Sequence, residues 1–295
     1  MSDFEVLPHV GMALDPIHVG TGGSRLGRVD NTIIRDPVTK IPKIPGSSLA
    51  GVTRAYAAMV ENKYPDCAGQ GGHCGKHDCP ICTVFGFAKG TEGSFAGLAA
   101  FSDMHVLLFP VATRLGAMWV TAPSALRQIK NLRDYDFNFV QDGEVYGEIA
   151  QNNKSVNLGW LMFSPEASPE STQKIKEELK NLGKMDYILQ NFVIISDKLF
   201  THVINSNLEV RTSVSIDPAT GAAEDGALFT YEALPRGTIL YWEVTAKNPK
   251  HFAGVQAVED LEAVHKVVNK ANDYLEALGI GGNNTRGMGR IRVSV

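Results

Sequence analysis

Apolar residues recur along this chain with two periods, and the switches between them mark its elements. Phe4–Leu14 reads as a first strand, with Val6, Val10, Met12 and Leu14 as apolar candidates. Over residues 47–63 the spacing changes to three and four through Leu49, Val52, Tyr56, Met59 and Val60, which predicts a helix. Residues 65–94 lose all periodicity. Leu98–Phe109 and Ala117–Val120 read as strands and Ser124–Leu132 as a short helix, followed by a polar stretch, 134–160, with irregular strands. Ser168-Pro169-Glu170 is a helix start, with a Ser cap, Pro at the first helical position and an acid in the first turn; that helix should stop near Gly183. Val193–Ile195 reads as a buried strand, and Ser196-Asp197 as the cap of a helix running to about Asn205.

Glu209–Ile216 alternates as a strand, Asp217–Gly221 supplies a turn, and Ala227–Leu234 returns, which predicts a long hairpin. Thr238–Thr245 is a further strand. The segment 258–278 carries Leu261, Val264, Val267, Val268, Ala271, Leu275 and Leu278 on one helical face, and Arg290–Val295 closes the chain as a strand. A strand–helix–strand opening and a strand–helix–strand close indicate an α+β fold with a split β-α-β, ferredoxin-like module. The middle of the chain would then be insertions.

Composition narrows the class. With 295 residues, 44% hydrophobic and 20% charged, the chain suits a globular protein of one large domain or two ordinary ones. Its longest apolar runs are far too short to span a bilayer, and Met1–Glu5 lacks a signal peptide's basic start, so no membrane role and a cytoplasmic location are expected. A net charge of −4 argues mildly against nucleic acid, but the charge is uneven. Between Arg25 and Arg54 stand Arg25, Arg28, Arg35, Lys40, Lys43 and Arg54 against only Asp30 and Asp36, and Arg286, Arg290 and Arg292 crowd the end without an acid. Such a basic path can track a phosphate chain.

The chemistry concentrates in three places. His18-Val-Gly20-Thr-Gly22-Gly23-Ser24, then Asp30, then Lys43-Ile-Pro-Gly46-Ser47-Ser48 combine a glycine turn, a lone carboxylate and a capped helix start flanked by cations. Glycines let main-chain N–H groups close on a phosphate, and a helix N-terminus adds unpaired donors. The pattern suits an RNA-backbone site with a cutting group beside it. Asp30 equally fits a loop-stabilising carboxylate that accepts backbone N–H bonds. His18, an imidazole able to act as acid or base near neutral pH, is its natural partner, and Glu232 is an auxiliary candidate. A second glycine run, Gly281-Gly282-Asn-Asn-Thr-Arg286-Gly-Met-Gly289, precedes the last strand. All four cysteines, Cys67, Cys74, Cys79 and Cys82, lie in one window with His73 and His77. Cys79-Pro-Ile-Cys82 has zinc-knuckle spacing, and the preferred structural zinc set is Cys74, His77, Cys79 and Cys82, with Cys67 the first substitute.

Taken in order, these motifs resemble the repeating backbone subunits of type III-B (Cmr-type) CRISPR effector complexes in the RAMP superfamily, over nearly the whole chain. The anchors are the glycine loop, Val29-Asp30…Ile34-Arg35, Ile44–Leu49, Cys82-Thr-Val-Phe-Gly86, Phe101–Pro110, Gly226–Glu232 with Leu234-Pro235, and Gly281–Gly289. The resemblance implies an RRM-like palm (about 1–64, 95–122 and 237–295), a Cys/His-rich insertion at 65–94, a helical insertion at 123–207 and a protruding hairpin thumb at 208–236. It further implies an endoribonuclease within an assembled complex. Partners would be a guide CRISPR RNA, complementary target RNA, further copies of the chain stacked head-to-tail, and other effector subunits. Asp30 would be the catalytic carboxylate, using Mg²⁺ or a similar divalent cation, with His18 beside it. Gly20, Gly22, Gly23, Lys43, Ser47, Ser48, Arg54, Arg211, Gly282 and Arg286 would contact RNA. The thumb, through Leu228, Phe229 and Tyr231, would displace bases from the duplex.

Two other readings stay open on sequence alone. One is a non-catalytic guide-RNA scaffold of the same architecture. The other is a zinc-stabilised enzyme for a phosphorylated small molecule, weakened by the lack of a Walker lysine motif or a strand–GxGxxG–helix unit.

Overall fold

The first and last strands of the chain lie side by side, and this adjacency sets up everything at the candidate site. A computed structural model describes residues 2–22, 29–69, 71–90, 93–148, 154–166 and 169–294. Gly23, Arg25, Arg28 and the Ser168 cap therefore lie outside the described residues.

In chain order the first half comprises β1 (Phe4–Ala13), β2 (Lys43–Ile44), α1 (Gly46–Val60), α2 (Pro80–Phe85), β3 (Phe87–Gly90), β4 (Gly93–Phe95), β5 (Ala99–Phe101), β6 (Met104–Thr113) and β7 (Gly116–Thr121). Then come α3 (Pro123–Leu126), β8 (Glu144–Tyr146), β9 (Val156–Leu158), β10 (Leu161–Glu166), α4 (Pro169–Lys180), α5 (Asp186–Gln190), β11 (Phe192–Ile194) and α6 (Asp197–Ser206). The chain closes with β12 (Glu209–Ile216), β13 (Ala223–Ala233), β14 (Ile239–Lys247), α7 (Leu261–Asn269), α8 (Asn272–Ala277) and β15 (Ile291–Ser294).

The main sheet runs β15-β1-β14-β6-β7-β11-β8-β10-β9, with β2 paired to β6 and β5 to β14. β1 is antiparallel to β14 from Phe4↔Lys247 to Met12↔Ile239, and antiparallel to β15 from Val10↔Ser294 to Ala13↔Ile291. Side chains alternate between the faces, so each strand feeds two cores. Leu240, Trp242, Val244 and Ala246 of β14 join the core under α1 and α7, while Ile239 and Tyr241 face the second, under α3, α4 and α5. Val264, Val267 and Val268 of α7 are buried in the first core, each contributing roughly 1.5–3 kcal/mol by leaving water.

The expected 47–63 helix forms at Gly46–Val60, and the hairpin forms as β12–β13. Three expected elements break. The 98–109 strand divides at Ser102-Asp103 into β5 and β6, the 124–132 helix shortens to α3 and a 3-10 turn at Lys130–Leu132, and the 258–278 helix splits into α7 and α8. The segment 123–207 also supplies β8 to β11, which extend the main sheet. Among the described residues no helix is long and apolar enough to cross a membrane.

Candidate nucleic-acid interface

Beyond β1 the chain is held against the inner end of the hairpin. Ile17 bridges Leu234, and Gly20↔Ile33 with the Ile34 N–H to Val19 carbonyl bond pairs residues 19–20 with 33–34. His18, only 7% exposed, lies at its root. Its Nδ1 is 2.6 Å from the Glu232 carbonyl oxygen, an acceptor only. That bond selects the Nδ1–H tautomer of the neutral ring, in which Nε2 carries the lone pair. The Tyr231 ring meets the imidazole edge-on at 5.5 Å between centroids. A Cβ at Gly20 would lie 2.9 Å from Nε2, so glycine there keeps that nitrogen uncovered.

The two glycine runs meet at this histidine. The Gly282 N–H donates to the His18 carbonyl at 2.8 Å. Gly281 has φ +91°, and a Cβ there would come within 2.3 Å of that same oxygen, so both backbone conformation and space demand glycine. Arg211, at the start of the hairpin, donates from Nη1 to the Gly287 carbonyl at 3.1 Å and from Nε to Glu209 at 2.6 Å. Arg286 is exposed on the Asn284–Arg286 turn nearby in the chain. Gly22 has a left-handed φ of +81° at the edge of the described loop.

Asp30 is tied to Thr230 of β13. The carboxylate Oδ2 accepts from the Thr230 N–H at 2.9 Å and from its hydroxyl at 2.7 Å, while the Asp30 N–H donates to the Thr230 Oγ1 at 2.9 Å. The Thr230 hydroxyl, then its N–H, hold the Asp30 carboxyl below the usual carboxylate range. Oδ1 makes no hydrogen bond among the described residues. The loop-anchoring and chemical readings of Asp30 thus divide between its two oxygens.

Glu232 is neither a solvated strand residue nor a free acid. It is buried, with Oε1 2.6 Å from the Arg35 Nη2 and Oε2 accepting from the Ile33 N–H at 3.2 Å. Arg35 also donates to Asn205 Oδ1 and the Ile33 carbonyl. Residues 230–232 therefore hold Asp30 through the Thr230 hydroxyl and N–H, His18 through the Glu232 carbonyl, and Ile33 and Arg35 through the Glu232 carboxylate.

The expected α1 entrance is built differently. Its N-cap is Pro45, with no side-chain cap bond from Ser47 or Ser48. Asp103, just before β6, supplies the anion instead: Oδ1 accepts from the Gly46 N–H at 2.7 Å and Oδ2 from Lys43 Nζ at 2.6 Å. Burial pushes the Asp103 carboxyl up, but the Lys43 ammonium and the Gly46 N–H outweigh it and hold the group low. Lys43, its pKa raised first by that Asp103 bond, stands as half of an ion pair. Ser47 is exposed and Ser48 half-buried on the first turn. Arg54 is engaged within the protein: its Nε donates to the Cys67 carbonyl and Nη1 to the Gly86 carbonyl, both at 2.7 Å, which clasps the Cys/His-rich insertion to α1.

The cysteine window forms one cluster with a different fourth member from the preferred set. The Sγ atoms of Cys67, Cys74, Cys79 and Cys82 all lie within 4.8 Å of one another. His77 stands outside it, its ring edge-on to Phe87 and Phe95 at 5.6 and 5.0 Å. The Cys67–Cys79, Cys74–Cys82 and Cys67–Cys82 separations are 3.9, 3.6 and 3.8 Å. A tetrahedron with Zn–S of about 2.3 Å has edges of about 3.8 Å, so the donor set fits zinc.

Sequence reasoning missed Thr230, Asp103 and the Arg35–Glu232 pair. Each acts across a long chain separation; all four residues fall inside the anchor motifs, but their pairing was not readable there.

The comparisons with known proteins agree with this architecture. A family model described as the RAMP superfamily matches residues 12–292. The CRISPR system Cmr endoribonuclease Cmr4 of Pyrococcus furiosus is 28% identical over 96% of this chain and 92% of its own length. A Cmr4 crystal structure superposes with a TM-score of 0.68 at 21% identity, covering 98% of each chain. A chain from the cryo-EM structure of the type III-B Cmr-beta complex bound to cognate target RNA gives 0.64 at 18% identity, covering 98% of this chain and 96% of that one. With the match running from the end of β1 into β15, the chain belongs to the RAMP superfamily.

Proposed function

We propose that this chain is a guide-RNA-binding backbone subunit of a type III-B CRISPR effector complex and an endoribonuclease that cuts paired target RNA beside Asp30. The observation that carries the reading is the convergence on residues 230–232: a carboxylate with one oxygen uncommitted and an imidazole with a defined lone-pair nitrogen, where two glycine turns meet. Its near-full-length relative is named an endoribonuclease, and a complex of similar fold was imaged with target RNA. Stacked copies, a guide and other effector subunits are the partners this reading requires.

RNA asks little of such a site, because its own 2′-hydroxyl can attack the adjacent phosphate, breaking the bond to the next nucleotide's 5′-oxygen, which leaves with a proton from solvent, and closing a 2′,3′-cyclic phosphate. The Gly20–Gly22 and Gly281–Gly282 turns approach the backbone closely, and the thumb's exposed Leu228 and Phe229 bear on the bases. His18 Nε2 is free to accept the hydroxyl proton, while Nδ1 stays anchored. Asp30 Oδ1 fits a divalent cation of the Mg²⁺ kind, which commonly takes one carboxylate plus phosphate oxygens. Such an ion, when bound, would neutralise charge developing at the phosphate.

Asp30→Asn tests this reading, since the amide oxygen can still accept from Thr230. The assembled complex should keep its RNA affinity and lose cleavage. Full-rate cutting by that variant would leave the non-catalytic scaffold as the better account.

The four-cysteine cluster is proposed to hold structural zinc, closing the insertion around Arg54. Purified protein should contain about one zinc per chain by elemental analysis. Cys67→Ser should lower that content and His77→Ala should not; the reverse result would restore the histidine-containing set.

A further inference from the structure

We infer that Thr230, on the return strand of the hairpin, is a positioning residue for target-RNA cleavage: it aims Asp30 so that Oδ1 faces the substrate, linking the thumb to the cutting group. The inference rests on the proposed role of Asp30. Thr230 is itself outside the reacting atoms.

The geometry is reciprocal. The Thr230 hydroxyl donates to Asp30 Oδ2 at 2.7 Å and accepts from the Asp30 N–H at 2.9 Å, so one oxygen atom grips both ends of the residue. The Thr230 N–H adds a third bond, to Oδ2 at 2.9 Å. All three engage Oδ2 or the backbone and leave Oδ1 uncommitted among the described residues. A carboxylate in an exposed loop otherwise rotates about two bonds, and this grip removes that freedom before substrate arrives. Charge-assisted bonds of this kind are the stronger ones.

Thr230 is also placed to transmit. It pairs with Thr212 across the hairpin, directly after exposed Leu228 and Phe229 and before Tyr231, whose ring edges onto His18. Its carbonyl accepts from the Asn31 N–H at 3.0 Å, so the loop carrying Asp30 rides on the same strand. A shift of the hairpin as it engages an RNA duplex would reach Asp30 through Thr230 without any other intermediary.

The test uses the assembled complex with guide RNA and a matched target under single-turnover conditions. Thr230→Val keeps the shape and removes the hydroxyl; cleavage should slow by about tenfold to a hundredfold, the scale of a small misplacement, with target affinity unchanged. Thr230→Ser restores the hydroxyl and should cut within about threefold of the parent rate. Thr230→Ala serves if the valine variant does not assemble. Equal losses in the serine and hydroxyl-free variants, or a hydroxyl-free variant that cuts normally while Asp30→Asn does not, would overturn the inference alone. Normal cutting by Asp30→Asn would instead remove the reading beneath it.

Discussion

Asp30 and Asp103 are the same side chain put to opposite uses. Asp103, at the α1 entrance, spends both oxygens inside the protein, one on the Gly46 N–H and one on Lys43. Asp30, at the root of the hairpin, draws its partners onto one oxygen and keeps the other for something else. Both are held ionised, so charge state does not separate them. What separates them is saturation. A carboxylate whose two oxygens are satisfied is a strut; one with a single committed oxygen is oriented and still able to bind. The difference also shows why a cation near a helix start is not automatically a phosphate contact, since Lys43 arrives already paired.

Neutralising each carboxylate in turn is the direct way to break this contrast. Asp30→Asn should cost more than about a hundredfold in single-turnover cleavage, the scale of losing a positioned acid–base or charge-stabilising group, with little change in RNA affinity. Equal cleavage losses in Asp30→Asn and Asp103→Asn would erase the distinction between the two sites.

Acid sharpens it from another side. His9 lies buried, stacked on Trp242 and facing His265, which itself approaches Glu5 at 3.7 Å. Burial, and then His265, pull the His9 imidazole down to about 4 from 6.5. Between those values the unfolded chain binds a proton that the folded chain refuses, so stability falls as pH drops from 6.5 towards 4. Denaturant midpoints should show a loss of about 2 kcal/mol at pH 5 relative to pH 7, with His265, also lowered by burial, adding in the same direction. His9→Phe should flatten that slope, while both aspartates remain charged through the same range.

The smallest expected effect belongs to Asp103→Asn. The amide oxygen still caps Gly46, but Lys43 loses its nearer counter-charge and keeps only Asp36 at 4.0 Å, so guide-RNA affinity should rise by about threefold, with a salt slope steeper by up to about 0.7. An unchanged salt slope in filter binding would place Lys43 away from the phosphate chain.

What the sequence made legible was local. β1, α1 and the hairpin follow from periodicity and turn chemistry, and the glycine runs announced themselves by composition. What it hid were agreements between distant residues. Ser47 and Ser48 look like caps, yet Asp103 takes the role because β6 brings it to the helix start. His77 sits close to Cys79 in sequence, but Phe87 and Phe95 draw its ring aside and Cys67 completes the cluster. The break between α7 and α8 has no glycine or proline to signal it; burial of both Ala271 and Leu275 accompanies the change of direction. Thr230 lay inside the Gly226–Glu232 anchor, but nothing in the sequence singled it out from its neighbours or tied it to Asp30.

β15 stands at the outer border of the main sheet, and the arginines there are not idle. Arg292 is tied to Glu276 and Arg290 to Asp15, which dresses an otherwise bare row of main-chain donors and acceptors in fixed charge. A border defended in this way resists templating by a stranger's strand. Copies that met at this border would join through side-chain surfaces and could part again without tearing a shared sheet.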